Sequence, residues 1–409
     1  MEMEMHPPET VVMEEMINRK SDIYIKYARY NVLALLLGIL SPYTAPWFIA
    51  FIGFQYIAQK AKTRDLDSIK SNALARPYLL ILFSIIASDI YSPDFFEMMA
   101  TLGLIVPYIA YGLYTGEVFD ESFAMRMLKL MIFTSVPIGV YGIIQTIFAN
   151  YGILFHLSGG RVVSTFANPN LYALYLSIIM FLTLGYTFYV KSEKEQWALT
   201  IVFCINAVNL YLTNSRTALC SALLASIFFF ILCGKKHIAH TLFISVFIVI
   251  MISFVYPQLI PRYAVLDDNL QTRKDIWELA AWGIRYSPVM GRGFLSFMEF
   301  SAIFGINQPH AHNIVLNTWF EWGILGVIGI VWYVAVLFKR GLSALRDSEY
   351  KPIIAGILSA VIAAFIQSMT DNPVINIQTA FMFILMSSIL MAITRKRHLS
   401  VQSKKGIIK

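Results

Sequence analysis

Apolar stretches close to twenty residues long recur along almost the whole chain, and nothing else in the sequence constrains the fold as strongly. A hydrocarbon core about 30 Å thick is crossed by roughly 20 helical residues. Inside it the backbone must satisfy its own hydrogen bonds, so runs of this length predict membrane-spanning helices. Twelve spans are predicted, over about 23–41, 43–59, 77–92, 95–115, 127–149, 170–190, 197–213, 217–233, 240–258, 313–338, 352–370 and 376–394. The prolines of "SPYTAP" separate the first two, because proline breaks a helix. Composition agrees: 57% of the 409 residues are hydrophobic and 14% are charged, where a soluble chain carries roughly a quarter charged. Mean hydropathy is +0.63. The expected fold class is an all-α polytopic membrane protein with about 12 transmembrane helices, forming a single integral membrane domain over 1–409.

Lysine and arginine in short loops mark the cytoplasmic side. With the N-terminus inside and the spans alternating, 25 of the 32 Lys and Arg fall in inside segments. The seven outside are Arg161, Arg216, Arg262, Arg273, Lys274, Arg285 and Arg292. Both termini then read as cytoplasmic. The net charge of +7 is thereby spread over short loops and a basic tail. That distribution speaks for membrane lipid, and against nucleic acid, as a partner. The acidic start "MEMEMHPPETVVMEEMINRK" lacks the apolar core of a signal peptide. Cys204, Cys220 and Cys233 are odd in number and lack ligand spacing, so they are expected as small packing residues. One outside segment is long, 257–312, between spans nine and ten. Within it "QTRKDIWELAAWGIRY" places Ile276, Leu279, Ala280 and Ile284 at helical spacing. That pattern predicts an amphipathic helix along the membrane surface.

The polar residues that this topology puts outside are Arg161, Arg216, Arg273, His310, His312 and Asp371, drawn from five segments. Helix ends converging on one face would gather them. The isolated arginines admit two readings. They snorkel to headgroups or cap a helix C-terminus, or they form an anion site, where guanidinium forks bind phosphate oxygens without a metal. Two or three arginines from different helices suit a diphosphate. His312 is either a structural hydrogen-bonding residue or a base that takes a proton from a hydroxyl near pH 7. "HAH" invites a zinc reading, but residues i and i+2 of a helix point to opposite sides, and the cysteines lie elsewhere. Neither a metal nor another cofactor is expected. Histidine beside an arginine-lined diphosphate cavity suits glycosyl transfer. Glu321 follows His312 by nine residues, roughly 13 Å along an ideal helix. An intramembrane carboxylate is a functional candidate, and pairing with a neighbouring helix is the other reading. Asp371 either orients His312 or binds acceptor. In "FANPN" the turn chemistry predicts a helix start with Asn170 as a cap.

The segments "RVVSTFANPN" (161–170), "TNSRTAL" (213–219), "RKDIWELA" (273–280), "SPVMGRGF" (287–294) and "HAHNIVLNTWFEWGILG" (310–326) together resemble the O-antigen ligase and polymerase superfamily. The resemblance covers 161–326 and implies a bacterial cytoplasmic-membrane enzyme, metal-independent and inverting. Its donor would be an undecaprenyl-diphosphate-linked glycan, passed to a saccharide or glycolipid acceptor at the outer face. The family's catalytic histidine falls on His312 and its diphosphate-binding arginines on Arg216 and Arg273, with Arg161 beside them. Nothing is carried onto Arg292. A ligase is favoured over a polysaccharide polymerase, whose acceptor is a second lipid-linked unit. A lipid or solute transporter is the reading from another class, and it lacks support from internal repeats.

Overall fold

A computed structural model describes residues 45–64, 66–91, 94–149, 156–256, 266–346, 348–372 and 376–404. The predicted span 23–41, and residues 257–265 of the long loop with Arg262, lie outside the described residues. Among those described, the chain is all-helical, and an isolated bridge between Ser158 and Arg161 is the sole extended pairing. The helices are α1 (Ala45–Thr63), α2 (Asp67–Ser71), α3 (Ala75–Tyr91) and α4 (Phe95–Ala100), which runs through one π-helical turn (Thr101–Ile105) into α5 (Val106–Val118). Then follow α6 (Glu121–Ile147), α7 (Pro169–Tyr189), α8 (Glu193–Leu212), α9 (Arg216–Leu232) and α10 (Lys236–Val255). The remainder are α11 (Leu266–Tyr286), α12 (Phe297–Ile303), α13 (Ile314–Ala344), α14 (Lys351–Ser368) and α15 (Ile377–Lys404).

Six helical stretches among the described residues are long and apolar enough to cross a membrane: Phe95–Val118, α6, α7, α13, α14 and Gln378–Arg395. Apolar but shorter helices cover Arg216–Leu232 and Lys236–Ile252. The apolar runs within the described residues therefore become helices, and six of these have the length of a full crossing.

α7 and α14 form the centre of the bundle, and most of their residues are buried. Their backbones come so close that a Cβ on Gly356 would run into the Phe181 carbonyl. Small residues permit such contacts where lipid supplies no hydrophobic drive between helices. The antiparallel pairing brings the start of α7 and the end of α14 together. The starts of α9 and α13 join them: Thr370 donates to Thr217 at 2.9 Å, and the Asn313 amide donates to the Met369 carbonyl at 2.9 Å. The far end of the bundle carries the Lys129–Glu195 ion pair and the Tyr350 hydroxyl donating to Glu121.

Two features of the long loop differ from expectation. α11 forms, but Ile276, Ala280 and Ile284 are buried against Phe297, Phe300 and Phe320. The apolar stripe is covered by α12 and α13 rather than left for lipid. The second is that α13, predicted as one continuous span, breaks at Gly323 (φ 69°, ψ −175°). Segment 287–294 folds into the break. The Arg292 and Gly293 amides both donate to the Glu321 carbonyl at 3.1 Å, and the Ile324 amide donates to the Pro288 carbonyl at 3.1 Å. These bonds replace the intrahelical ones that the break removes. Glycine is required on both sides: a Cβ on Gly323 would collide with the Val289 carbonyl, and one on Gly291 with the Glu321 carbonyl.

The cysteines are free thiols, and Cys204 and Cys220 are exposed on α8 and α9, with Cys233 half-buried. The expectation that they pack inside is thus corrected for the first two. Their helices bury other faces, through Asn206 and Asn209 on α8 and Ala218 and Ser221 on α9.

Candidate functional site: an arginine-walled cavity at one end of the bundle

A polar cavity of about 270 Å³ opens where α7, α9, α11, α13 and α14 meet. Arg161, Asn170, Arg216, Arg273, Gln308, His312, Gln367 and Asp371 are among its lining residues. Four of the five external segments expected to converge contribute an arginine or the histidine, and the fifth contributes Asp371.

Local sequence explains each placement. Asn168 is extended (φ −145°, ψ 139°), and its side chain accepts from the Asn170 amide at 2.7 Å, with Pro169 opening α7. Proline suits a first helical turn, and asparagine suits the position before it. The cap is therefore Asn168. Asn170, expected in that role, has its side chain free to turn into the cavity. The loop before α7 is tied down by Gln145, whose Oε1 accepts from the Val163 and Ser164 amides at 3.1 and 2.9 Å.

Arg161 donates from Nε to the Thr213 carbonyl at 2.7 Å and from Nη2 to Asn170 Oδ1 at 2.6 Å. It braces the junction between α8 and α9 against α7, as well as lining the cavity. Arg216 is the first residue of α9. A cation there opposes the dipole of α9. Guanidinium and helix start together make this wall attractive to an anion. Arg273 reaches the cavity from α11, flanked by Thr272 and Ile276. Arg292 lies elsewhere, with its guanidinium 4.7 Å from the Phe300 ring centroid and 5.7 Å from that of Phe320.

His312 precedes α13 and is not part of it. Asn313 caps that helix, accepting from the Val315 and Leu316 amides. His312 itself is left-handed (φ 49°), a conformation uncommon outside glycine and typical of strained functional positions. The consequence corrects the argument from helix geometry. His310 and His312 do not point apart: their ring centroids are 4.4 Å from each other, and the His312 amide donates to His310 Nδ1 at 3.2 Å.

Asp371, just past the end of α14, holds the pair. Its Oδ1 is 3.1 Å from His312 Nδ1 and 3.8 Å from His310 Nε2. A carboxylate can only accept, so the proton of the short contact sits on His312 Nδ1. His312 Nε2 lies 3.1 Å from Gln308 Oε1. With the proton on Nδ1, a neutral ring accepts at Nε2, so this contact is a hydrogen bond only with the Gln308 amide turned to present its N–H or with a second proton on the ring. Burial and the neighbouring His312 push the His310 pKa down to about 4, with Asp371 opposing. Burial works to raise the Asp371 carboxyl, but His312, His310 and the Asn372 amide outweigh it and hold the pKa at about 2. Asp371 is therefore a fixed anion, and His310 is neutral near pH 7.

The ligand atoms of His310, His312 and Asp371 lie within 4.8 Å of one another, a spacing that would fit a metal ion. Three arginines on the same cavity wall set up a field that opposes a cation and favours an anion.

Glu321 does not line the cavity. It is 1% exposed, its Oε2 has no hydrogen-bond partner among the described residues, and its backbone carbonyl receives the 287–294 segment. The residues that the sequence reading underweighted are Asn170 and Gln308. "NPN" holds one more asparagine than a helix cap needs, and the glutamine of "QPHAH" stands four residues before His312. Asn170 is read as the cap that Asn168 supplies, and Gln308 is left without a role.

Six crossing-length apolar helices among the described residues mark a helical membrane protein, with an arginine-walled cavity at one end of the bundle. Residues 200–331 match the family described as O-antigen ligase, which bears out the resemblance to the O-antigen ligase and polymerase superfamily. No curated protein matches the chain. The matched segment runs from α8 into α13 and contains Arg216, Arg273 and His312, whereas Arg161, Asn170 and Asp371 lie outside it. The match implies a lipid-linked glycan and an acceptor as substrates, with glycosyltransferase-type activity.

Proposed function

We propose that this protein is an inverting, metal-independent glycosyltransferase of the bacterial cytoplasmic membrane. It moves a glycan from undecaprenyl diphosphate onto an acceptor at the outer face. The observation that carries the reading is the meeting of Arg161, Arg216 and Arg273 with His312 and Asp371 in one cavity. Arg216 and Arg273 hold the diphosphate, with Arg161 assisting. Asp371 keeps the proton on His312 Nδ1, leaving Nε2 to take the proton of the acceptor hydroxyl. The hydroxyl oxygen then bonds to the anomeric carbon as the bond to the diphosphate breaks. The diphosphate leaves as an anion stabilised by the arginines. Gln308 stands where the hydroxyl would approach Nε2.

An apolar groove of about 210 Å³ runs beside α13, between α3, α5, α14 and α15, with Ile314, Trp322, Tyr333 and Phe365 among its walls. Ile314 is two residues from His312, which supports a lipid-linked donor. In this reading both termini are cytoplasmic, the spans form one integral membrane domain, and the site faces outside, with Thr272, Arg273, Ile276 and Gln308 of the long loop on its wall. The ligase reading is preferred, and a polymerase would use the same donor chemistry with a second lipid-linked unit as acceptor. A transporter would need a gap in the bundle for its substrate, and the break in α13 is filled by the backbone of 287–294.

The test is transfer by the full-length protein in lipid nanodiscs, given undecaprenyl-diphosphate glycan and acceptor. His312→Ala is expected to lose at least about a hundredfold in rate, with donor accumulating in cells. Full activity in that variant would refute the base. Arg216→Lys and Arg273→Lys should raise the donor KM, because the fork is lost, and equal service by lysine would remove that explanation. Chelator should leave the rate unchanged. Loss of activity restored by zinc would make the two histidines and Asp371 a metal site. A product lengthened by repeat units, with no glycolipid joined, would indicate the polymerase.

A further inference from the structure

Asn170 joins three chain segments through one side-chain amide. Its Oδ1 accepts from Arg161 Nη2 at 2.6 Å and from Ser215 Oγ at 3.1 Å, and its Nδ2 donates to Asp371 Oδ2 at 2.5 Å. Its backbone carbonyl is held in turn by the Gln367 amide at 2.9 Å. The amide orientation follows from the partners, since arginine only donates and carboxylate only accepts. Asp371 thus has one oxygen on His312 and the other on Asn170. Arg161 pulls electron density toward Oδ1 and so strengthens the opposite N–H donor. An amide of this length is the group that serves both sides. Aspartate would set a carboxylate against Asp371, glutamine is one methylene too long, and alanine leaves Arg161 and Asp371 without this link.

We propose that Asn170 is a positioning residue that locks the Asp371 carboxylate onto His312 and ties that pair to the arginine wall. It need not touch the substrate. The proposal rests on the reading of His312 as the base. The charged and titratable groups around that base are Asp371 and His310 at its ring, with Arg161, Arg216 and Arg273 on the cavity wall.

The experiment is a double-mutant cycle on the full-length protein in nanodiscs with undecaprenyl-diphosphate glycan and acceptor. Groups that orient a functional ligand from behind are typically worth about 10–100-fold. Asn170→Ala should lower kcat by about that factor and change the donor KM less than about threefold. In the Asn170→Ala, Asp371→Asn double variant the rate should fall little below that of Asp371→Asn alone, since both changes cut one linkage. Losses that multiply would overturn the coupling, and a raised donor KM with kcat intact would make Asn170 a substrate ligand instead. Asn170→Asp covers the case in which alanine does not fold. It keeps the Arg161 contact but places a second carboxylate beside Asp371, so the acid limb of the kcat profile should move up by about one pH unit. An unmoved limb with wild-type kcat overturns the proposal. Should His312→Ala stay active, the base reading fails. Multiplying losses with an inactive His312→Ala would sink the role of Asn170 alone.

Discussion

Two polar regions meet on α13, and they handle charge in opposite ways. At its tip, His312, Asp371, Asn170 and Arg161 form a continuous chain of hydrogen bonds beside an open cavity. One short stretch further on, at the break, Glu321 is sealed inside the bundle with one oxygen unpartnered among the described residues. The charged groups at the tip bond through their side chains to the 161–170 loop, the junction of α8 and α9 and the end of α14. At the break the bonds that bridge Gly323 are backbone to backbone, between α13 and the 287–294 segment, with Trp319 Nε1 donating to the Pro288 carbonyl and the Phe294 amide to Asp89 beside them. The contrast teaches that two polar residues in one apolar run need not share a purpose. Where side chains satisfy one another around a cavity, chemistry is available. Where backbone satisfies backbone, the work is architectural.

Four changes test that division, from the largest expected effect downward. Gly323→Ala puts a Cβ against the Val289 carbonyl at a positive φ. Strain of this kind costs about 1–3 kcal/mol before the collision is counted. Folded protein should therefore be lost, as read by size-exclusion recovery and thermal melting. A normally folded variant would show that 287–294 is not needed to fill the break.

Asp371→Asn, at the tip, should leave the fold in place and lower kcat by on the order of a hundredfold, because the neutral amide no longer holds the proton on Nδ1. If stability falls and kcat of the surviving protein does not, the tip is as architectural as the break.

The third change concerns pH. His310, lowered to about 4 in the folded protein, binds its proton more readily when unfolded. Its contribution to stability is complete above about pH 6.5, the ordinary value, and is lost as the pH falls through 4. Asp371, also depressed, acts in the same direction between the ordinary carboxyl range and about 2. The melting temperature should thus fall on acidification from 6.5 to 4, and His310→Gln should flatten that window. An unchanged slope would show that His310 is not buried as a neutral ring.

Glu321→Gln has the smallest expected effect, less than about threefold on transfer, because the side chain lies off the cavity. A large loss of kcat with the melting temperature intact would join the two regions into one site.

Much of this was readable from the residues. The apolar runs become helices because a chain of such composition can satisfy its backbone in lipid only that way. Arg161, Arg216, Arg273, His312 and Asp371 stood out because isolated charges beside apolar helices are costly and few. The amphipathic period of α11 was legible too, but not the identity of the surface that covers it, since a stripe meets lipid or protein equally well. "HAH" misled for a related reason. A helix was assumed around it, whereas Asn313 starts the helix one residue later and His312 turns left-handed. The break at Gly323 was hidden because hydropathy does not register backbone dihedrals.

By itself, the sequence determined a helical membrane protein, the set of groups able to bind an anion and accept a proton, and the superfamily they resemble. Those depend on composition and local spacing, which every stretch of chain carries with it. Only the tertiary structure decided that Asn170 links Arg161 to Asp371, that Asp371 faces His312 across 59 positions of chain, and that Glu321 belongs to a sealed break. Each of these depends on which helix ends share a corner of the bundle. Close backbone packing between α7 and α14 sets that, and hydrophobic periodicity does not encode it.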